Sequence, residues 1–172
     1  WDHETRMALM RRLKAFTEGA CGLATNGDDS VFRDELFKGM VCIDLSSLKD
    51  VNSRSIFANM LLKILYDRAV GRSITHLEHV TFIDEAQNVI PPRRPEQPRS
   101  IGERILAELR KYGEGVVVVT QFPSSISLEV LKNSAIRIIH SIRSGEDLKI
   151  IEDATSMTPH QTQVLPALSI GE

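Results

Sequence analysis

The sequence has almost no cysteine. Cys21 and Cys42 are its two, and they stand in no disulfide or zinc-site spacing. That excludes a disulfide-stapled secreted domain and reads as reduced thiols in a cytoplasmic protein. No apolar run approaches membrane-spanning length and the start has no signal-peptide layout, so no membrane partner is expected. Nor is there a surplus of one charge: 21 Lys and Arg against 23 Asp and Glu leave a formal net charge of -2. A global basic field that attracts nucleic acid is therefore missing, and any such contact has to be local. His3, His76, His79, His140 and His160 are scattered without ligand spacing, so no transition-metal site is read. Internal repeats and low-complexity stretches are absent as well. What remains is an ordinary globular composition, 42% hydrophobic and 26% charged, in a length that suits one domain with a real core. The chain starts at Trp1 rather than Met and stops at Gly171-Glu172 just after an apolar segment, which looks like a piece cut from something longer.

Along the chain, residues 2–18 read as a helix, with Met7, Leu9, Met10, Leu13 and Phe16 as a loose apolar face, ending toward Gly19 and Gly22. Thr25 to Ser30 is a turn-rich loop, and Phe32 to Phe37 a short helical turn. Met40 to Leu45 is expected as a buried strand. A long helix follows from about Ser53 to Val70, with Ile56, Met60 and Ile64 stacked at four-residue spacing and Gly71 ending it. Val80, Phe82 and Ile83 form the next buried strand. A helix is expected over Ile101 to Tyr112, closed by Gly113, then a strand at Val116 to Val119 whose continuous branching suggests burial on both faces. A short helix over about Ser125 to Lys132 leads to a further strand, Ile136 to His140. Ser144 and Asp147 start a helix through Ile151, and Thr158-Pro159-His160-Gln161 is a sharper start, with proline at the first helical position and glutamine at the third. Strands alternating with helices indicate an α/β fold with a parallel sheet and right-handed crossovers.

The chemistry gathers at two strand ends. His79 to Gln87 is an apolar run that breaks off in two adjacent carboxylates, Asp84 and Glu85. Open α/β sheets bind ligands at that carboxyl edge. There one acid can hold Mg²⁺, usually through water, while the next orients or deprotonates an attacking water. A strand end with solvated acids is the plainer alternative. The following strand ends in Thr120-Gln121, so if the two strands are adjacent and parallel, four polar side chains share one edge. An amide placed there can bind a terminal phosphate or the attacking water. Between the strands, Pro91 to Arg99 cannot be helix or central strand, because its prolines remove donors and lock the backbone. It is either a solvated connection or a stiff loop whose Arg93, Arg94 and Arg99 touch DNA phosphates.

Ile83-Asp84-Glu85-Ala86-Gln87-Asn88, then Glu108 to Gly113, then Val118 to Pro123, resemble in order and near-spacing the HerA-type DNA-translocating ATPases, of the HerA/FtsK branch of P-loop ATPases. Asn133 to Ile138 and Leu165 to Glu172 continue the resemblance, which covers roughly residues 38–172. It implies a three-layer RecA-like parallel sheet flanked by helices, with residues 1–37 as a helical lead-in or insertion. It also implies ATP and Mg²⁺ as cofactors, with Asp84 the metal-associated acid, Glu85 the catalytic base, and Gln121 with Thr120 sensing the γ-phosphate. Arg110 and Arg137 become candidates for reaching a neighbouring subunit's phosphates, although a surface ion pair is the plainer reading of either. The implied partners are other copies of the chain in a ring (a hexamer), duplex DNA and a nuclease. The family pattern fails at one place. No glycine here is followed by lysine, so the G-x-x-x-x-G-K-[ST] loop that cradles phosphates is absent, and with it the preceding strand. The expected fold is therefore incomplete, and the chain alone is expected to be inactive. A non-catalytic assembly module that kept the fold is one alternative, and a piece of a conjugative coupling or secretion ATPase another. An RNA-helicase reading of Asp84-Glu85-Ala86-Gln87 is set aside, because Thr120 to Pro123 is not the Ser-Ala-Thr-like element it needs.

Overall fold

The two branched runs meet side by side. In the computed structural model, strand β1 (His79–Ile83) pairs in parallel with β2 (Glu114–Val118), His79 opposite Glu114 and Ile83 opposite Val118. The structure describes residues 2–17, 35–74, 76–94 and 96–169. The chain divides into two compact units, Trp1–Ile64 and Leu65–Glu172. The expected loop at Thr25 to Ser30, the glycines Gly19 and Gly22, and the start of the Phe32 to Phe37 turn lie outside the described residues.

The first unit holds α1 (His3–Thr17) and most of α2 (Val51–Ala69). Asp50 starts α2 by accepting the Ser53 amide at 2.7 Å and its hydroxyl at 2.9 Å, and these bonds hold the Asp50 carboxyl below its ordinary pKa. Gly71, at φ +87, follows its end. The apolar face expected on α1 is not buried: Met7, Leu9, Met10 and Leu13 are all exposed.

In the second unit the chain runs from β1 through a 3-10 turn (Ala86–Asn88) and the proline-rich loop into α3 (Ile101–Glu108). A 3-10 turn (Leu109–Tyr112) and Gly113, at φ +78, then feed β2. Any Cβ on Gly113 would lie 2.7 Å from the His76 carbonyl oxygen, so this reversal requires glycine. After β2 come a 3-10 turn (Pro123–Ser125), α4 (Leu128–Asn133), α5 (Gly145–Thr155), α6 (Pro159–Thr162) and a last 3-10 turn (Leu165–Ala167). Ile83, Ala86, Ile90, Ile105, Leu109, Ile126, Val130 and Ile151 make its core. The start read at Thr158 and Gln161 is realised as a reciprocal capping box, and Ser100 with Glu103 forms a second one. Tyr66 is held by two groups of α3, accepting from Arg104 Nη2 at 2.6 Å and donating to Glu108 Oε2 at 2.5 Å.

Three expectations need correction. Met40 to Leu45 and Ile136 to His140 are not strands: the described sheet has two strands, and neither segment pairs with it. Ile136 and Ile138 are more than four-fifths exposed, and Met40, Val41 and Ile43 are exposed as well. Branched residues favour an extended backbone, but a strand exists only where another strand offers its N–H and C=O groups. For the first segment a local competitor also acts, because Asp44 accepts the Ser46 amide at 2.8 Å and ends the run in a turn. Third, the sheet is not buried on both faces. Val80, Phe82, Val117 and Val119 are exposed, Phe82 by 71%, and the register puts Phe82 beside Val117. The fold is nonetheless the expected α/β arrangement, a small parallel sheet with helices. Among the described residues no helix is long and apolar enough to cross a membrane.

Packing around the turn after β1 yields one sharp expectation. Gly102 lies on α3 over Ile90, which is fully buried, and a Cβ there would stand 2.6 Å from Ile90 Cγ1 and 2.7 Å from Cδ1. Gly102→Ala should gain the usual helix preference of about 0.5–1 kcal/mol and lose about 1–3 kcal/mol to overpacking. Thermal unfolding should therefore show a lower Tm. A Tm at or above that of the unsubstituted chain would contradict this packing.

Candidate active site

The carboxyl ends of β1 and β2 are held in step beyond the strands themselves. Val119 N–H donates to Ile83 O at 2.9 Å, and Ala86 N–H to Val119 O at 3.0 Å. Between these bonds the chain turns sharply at Glu85, whose φ of 48° and ψ of 46° lie in the left-handed region. Such a conformation costs a residue with a Cβ roughly 1–2 kcal/mol. The next residues hold it there: Ala86 and Ile90 are fully buried, and Asn88 and Ile90 close the turn with bonds of 2.9 and 2.8 Å to Glu85 O and Ala86 O. The Ile90 carbonyl also accepts from Ser127 N–H at 3.0 Å, tying the turn to the start of α4.

This geometry brings together the residues that the sequence pointed to. Gln121 Nε2 donates to Glu85 Oε1 at 2.5 Å. Glu85 Oε2 accepts from Gln87 Nε2, and Gln87 Oε1 accepts the Thr120 hydroxyl at 2.8 Å. Asp84 is exposed at the same edge, one of its oxygens accepting Glu85 N–H at 2.9 Å. A half-buried carboxylate gripped by two amides, beside an exposed carboxylate, is what this edge presents to solvent. Gln87 was part of the motif but had been given no role. The left-handed turn at Glu85 folds it back onto the carboxylate.

Behind the edge, Asp147 at the first turn of α5 is buried and accepts Ser124 N–H at 2.7 Å, which fixes the turn that follows Gln121. Ser144 caps α5 through Asp147 N–H.

The arginines have other positions. Arg93 Nε donates to both oxygens of Glu103, at 3.0 and 3.1 Å, and its Nη1 donates to Gln97 O at 2.9 Å. Glu103 is 1% exposed and also accepts Ser100 N–H at 2.7 Å and the Ser127 hydroxyl. Burial by itself would raise this carboxyl, but the bonds from Ser127, Ser100 and Arg93 outweigh it and hold the group below its ordinary value. Arg93 thus pins the proline-rich loop to α3. Arg94 is exposed on that loop, and Arg99 pairs at 3.5 Å with Glu129. Arg110 is exposed on the 3-10 turn before Gly113, and Arg137 curls back to Leu131 O at 3.1 and 2.5 Å, capping the end of α4. Among the described residues neither hydrogen-bonds Glu85 or Gln121.

A cation such as Mg²⁺ keeps several waters and takes one or two carboxylates together with substrate phosphates. Asp84, exposed at the edge with one oxygen accepting Glu85 N–H, suits that outer role. The sequence has no glycine followed by lysine, so it does not contain a G-x-x-x-x-G-K-[ST] phosphate loop.

No family model matches the sequence. The chain is similar to the DNA double-strand break repair helicase HerA of Sulfolobus acidocaldarius, 26% identical over 135 residues, covering 76% of this chain and 27% of that protein. It is similar to the protein of the same description from Sulfurisphaera tokodaii, 27% identical over 135 residues with the same coverage. It thus spans about a quarter of the length of these curated relatives. Among solved structures, the genome packaging NTPase of Sulfolobus turreted icosahedral virus 2, in complex with ATP-gammaS, aligns with a TM-score of 0.50 at 21% identity, over 66% of this chain and 52% of that one. That likeness concerns the fold. The HerA-like resemblance holds, and so does the partial RecA-like fold.

Proposed function

We propose that this HerA-like chain is the hydrolytic edge of an ATP-driven motor that moves duplex DNA through a ring, a hexamer of such subunits. The observation that supports it above all is the bond from Gln121 to Glu85 across the ends of two adjacent parallel strands. Glu85 is the general base that takes the proton of the attacking water. Gln121, with Thr120, senses the γ-phosphate, and Asp84 holds a hydrated Mg²⁺, which supplies charge neutralisation at the phosphates when bound. Arg110 and Arg137 are the candidates for reaching a neighbouring subunit's nucleotide, and Arg94 and Arg99 for touching DNA phosphates. Arg93, gripped by Glu103, serves that contact by holding the loop in place. ATP is cradled by a phosphate-binding segment outside these residues, so the chain alone is expected to bind nucleotide poorly and to hydrolyse none. A nuclease that processes the same DNA ends, in the cytoplasm, is the partner this reading implies.

The test is MgATP hydrolysis by the full natural gene product containing these residues, with and without duplex DNA, alongside its mass by light scattering. Hydrolysis stimulated by duplex DNA in a ring-sized species is expected. A full gene product that binds no ATP would reverse the reading and leave a non-catalytic assembly module.

A further inference from the structure

The carboxamide of Gln87 uses both its ends. Nε2 donates to Glu85 Oε2, and Oε1 accepts the Thr120 hydroxyl. It therefore links the turn after β1 to the end of β2, independently of the bond from Gln121 to the other carboxylate oxygen. We propose that Gln87 is the positioning residue of this edge: it keeps Glu85 aimed after Gln121 has left it for the terminal phosphate of a nucleotide. The proposal rests on the hydrolase reading above.

The argument starts from the carboxylate. An ionised carboxylate offers about four acceptor sites, and here one amide sits on each oxygen. With both in place, one N–H of Gln121 is spent on the base. A terminal phosphate competes for Gln121 Nε2 and frees Oε1. The backbone of Glu85 cannot follow, because Ala86 and Ile90 on the same turn are fully buried. The side chain could, through its own rotatable bonds. Gln87 prevents that, since its second end stays on Thr120, a residue fixed by its place after β2. Its hydroxyl is engaged further, accepting Phe122 N–H at 3.2 Å. A misplacement of about 1 Å costs on the order of 100-fold in rate, so an untethered base should lose most of its advantage while nucleotide affinity is spared.

The experiment measures kcat and KM for MgATP, with duplex DNA, in the full gene product and in Gln87→Leu, Gln87→Glu and Glu85→Gln. Thermal unfolding confirms that each variant is folded. Gln87→Leu should lower kcat by about 10-fold or more and leave KM within about twofold. Gln87→Glu keeps an acceptor for Thr120 but sets a carboxylate against Glu85, so it should be at least as slow. If Gln87→Leu keeps kcat within twofold while Glu85→Gln is inactive, the positioning role is wrong and the hydrolase reading stands. A Gln87→Glu protein as fast as the unsubstituted one also overturns it. Absence of hydrolysis in the unsubstituted protein removes the function and the positioning role together.

Discussion

Glu85→Gln in the full gene product is expected to slow ATP hydrolysis by about 10²–10⁴-fold while nucleotide binding is retained. The amide has the same shape but cannot take a proton from water at neutral pH. Asp84, which the reading assigns to the metal, is untouched, and the phosphates are held by another segment. Glutamine is the right replacement for a local reason as well. Gln87 and Gln121 both point N–H donors at this carboxylate, so an alanine would strip two donors of their acceptor and mix chemistry with rearrangement. Glutamine still accepts from one of them. The left-handed turn is retained, since it is imposed by the buried residues Ala86 and Ile90 that follow. Single-turnover hydrolysis and equilibrium binding, measured side by side, separate the two steps. Hydrolysis within tenfold of the unsubstituted rate would remove Glu85 from its assigned role.

Glu103→Ala should be the most destabilising single change in the second unit. Glu103 is 1% exposed and serves Arg93, Ser100 and Ser127 at once. Its removal leaves a guanidinium without its carboxylate and a buried hydroxyl without its acceptor. Breaking a buried pair costs about 3–5 kcal/mol. Arg93 retains 24% exposure and can regain some water, so a loss of about 3 kcal/mol is expected. Glu103→Gln, which keeps the bulk and an acceptor, should lose less. The pH dependence has a definite sign. Because the folded group titrates below its ordinary value of 4.5, its contribution is complete above that value and fades as the pH falls through the lower, folded one. The stability gap between the unsubstituted protein and Glu103→Ala, from urea unfolding, should hold at neutral pH and narrow in acid. A gap that widens in acid would mean the carboxylate is not what stabilises the loop.

The sequence carried the strand ends well, because the chemistry there is local. A β-branched run that stops at two acids, and another that stops at Thr120-Gln121, needed only the right neighbours to become one edge, and β1 and β2 are neighbours. Helix starts at Ser144 and Thr158 were legible for the same reason: a cap is made with residues two or three positions away. What stayed hidden depends on distant pairing. Ile136 to His140 has every local mark of a strand, but pairing is decided by what lies alongside. Arg93 looked like its two loop companions, and nothing nearby shows that Glu103, already explained as a capping-box residue, is also its buried counter-ion. Gln87 was hidden by a single backbone angle two residues earlier. Side-chain exposure followed the same rule: Val80 and Phe82 have core-like composition, yet they lie on a sheet face left exposed among the described residues.

The parallel pairing of β1 with β2 also governs when the edge can exist. His79 and Glu114 lie 35 residues apart in sequence, and Glu85 and Gln121 lie 36 apart. The intervening helix and turns can form in microseconds, whereas this closure waits for both strands. On a ribosome adding about 5–20 residues per second, β1 is made roughly two to seven seconds before its partner emerges. Through that interval Val80 and Phe82 have neither a ladder nor a neighbour, the circumstance in which nascent chains engage chaperones or one another. The Glu85–Gln121 pair is therefore assembled by a single late event in biosynthesis.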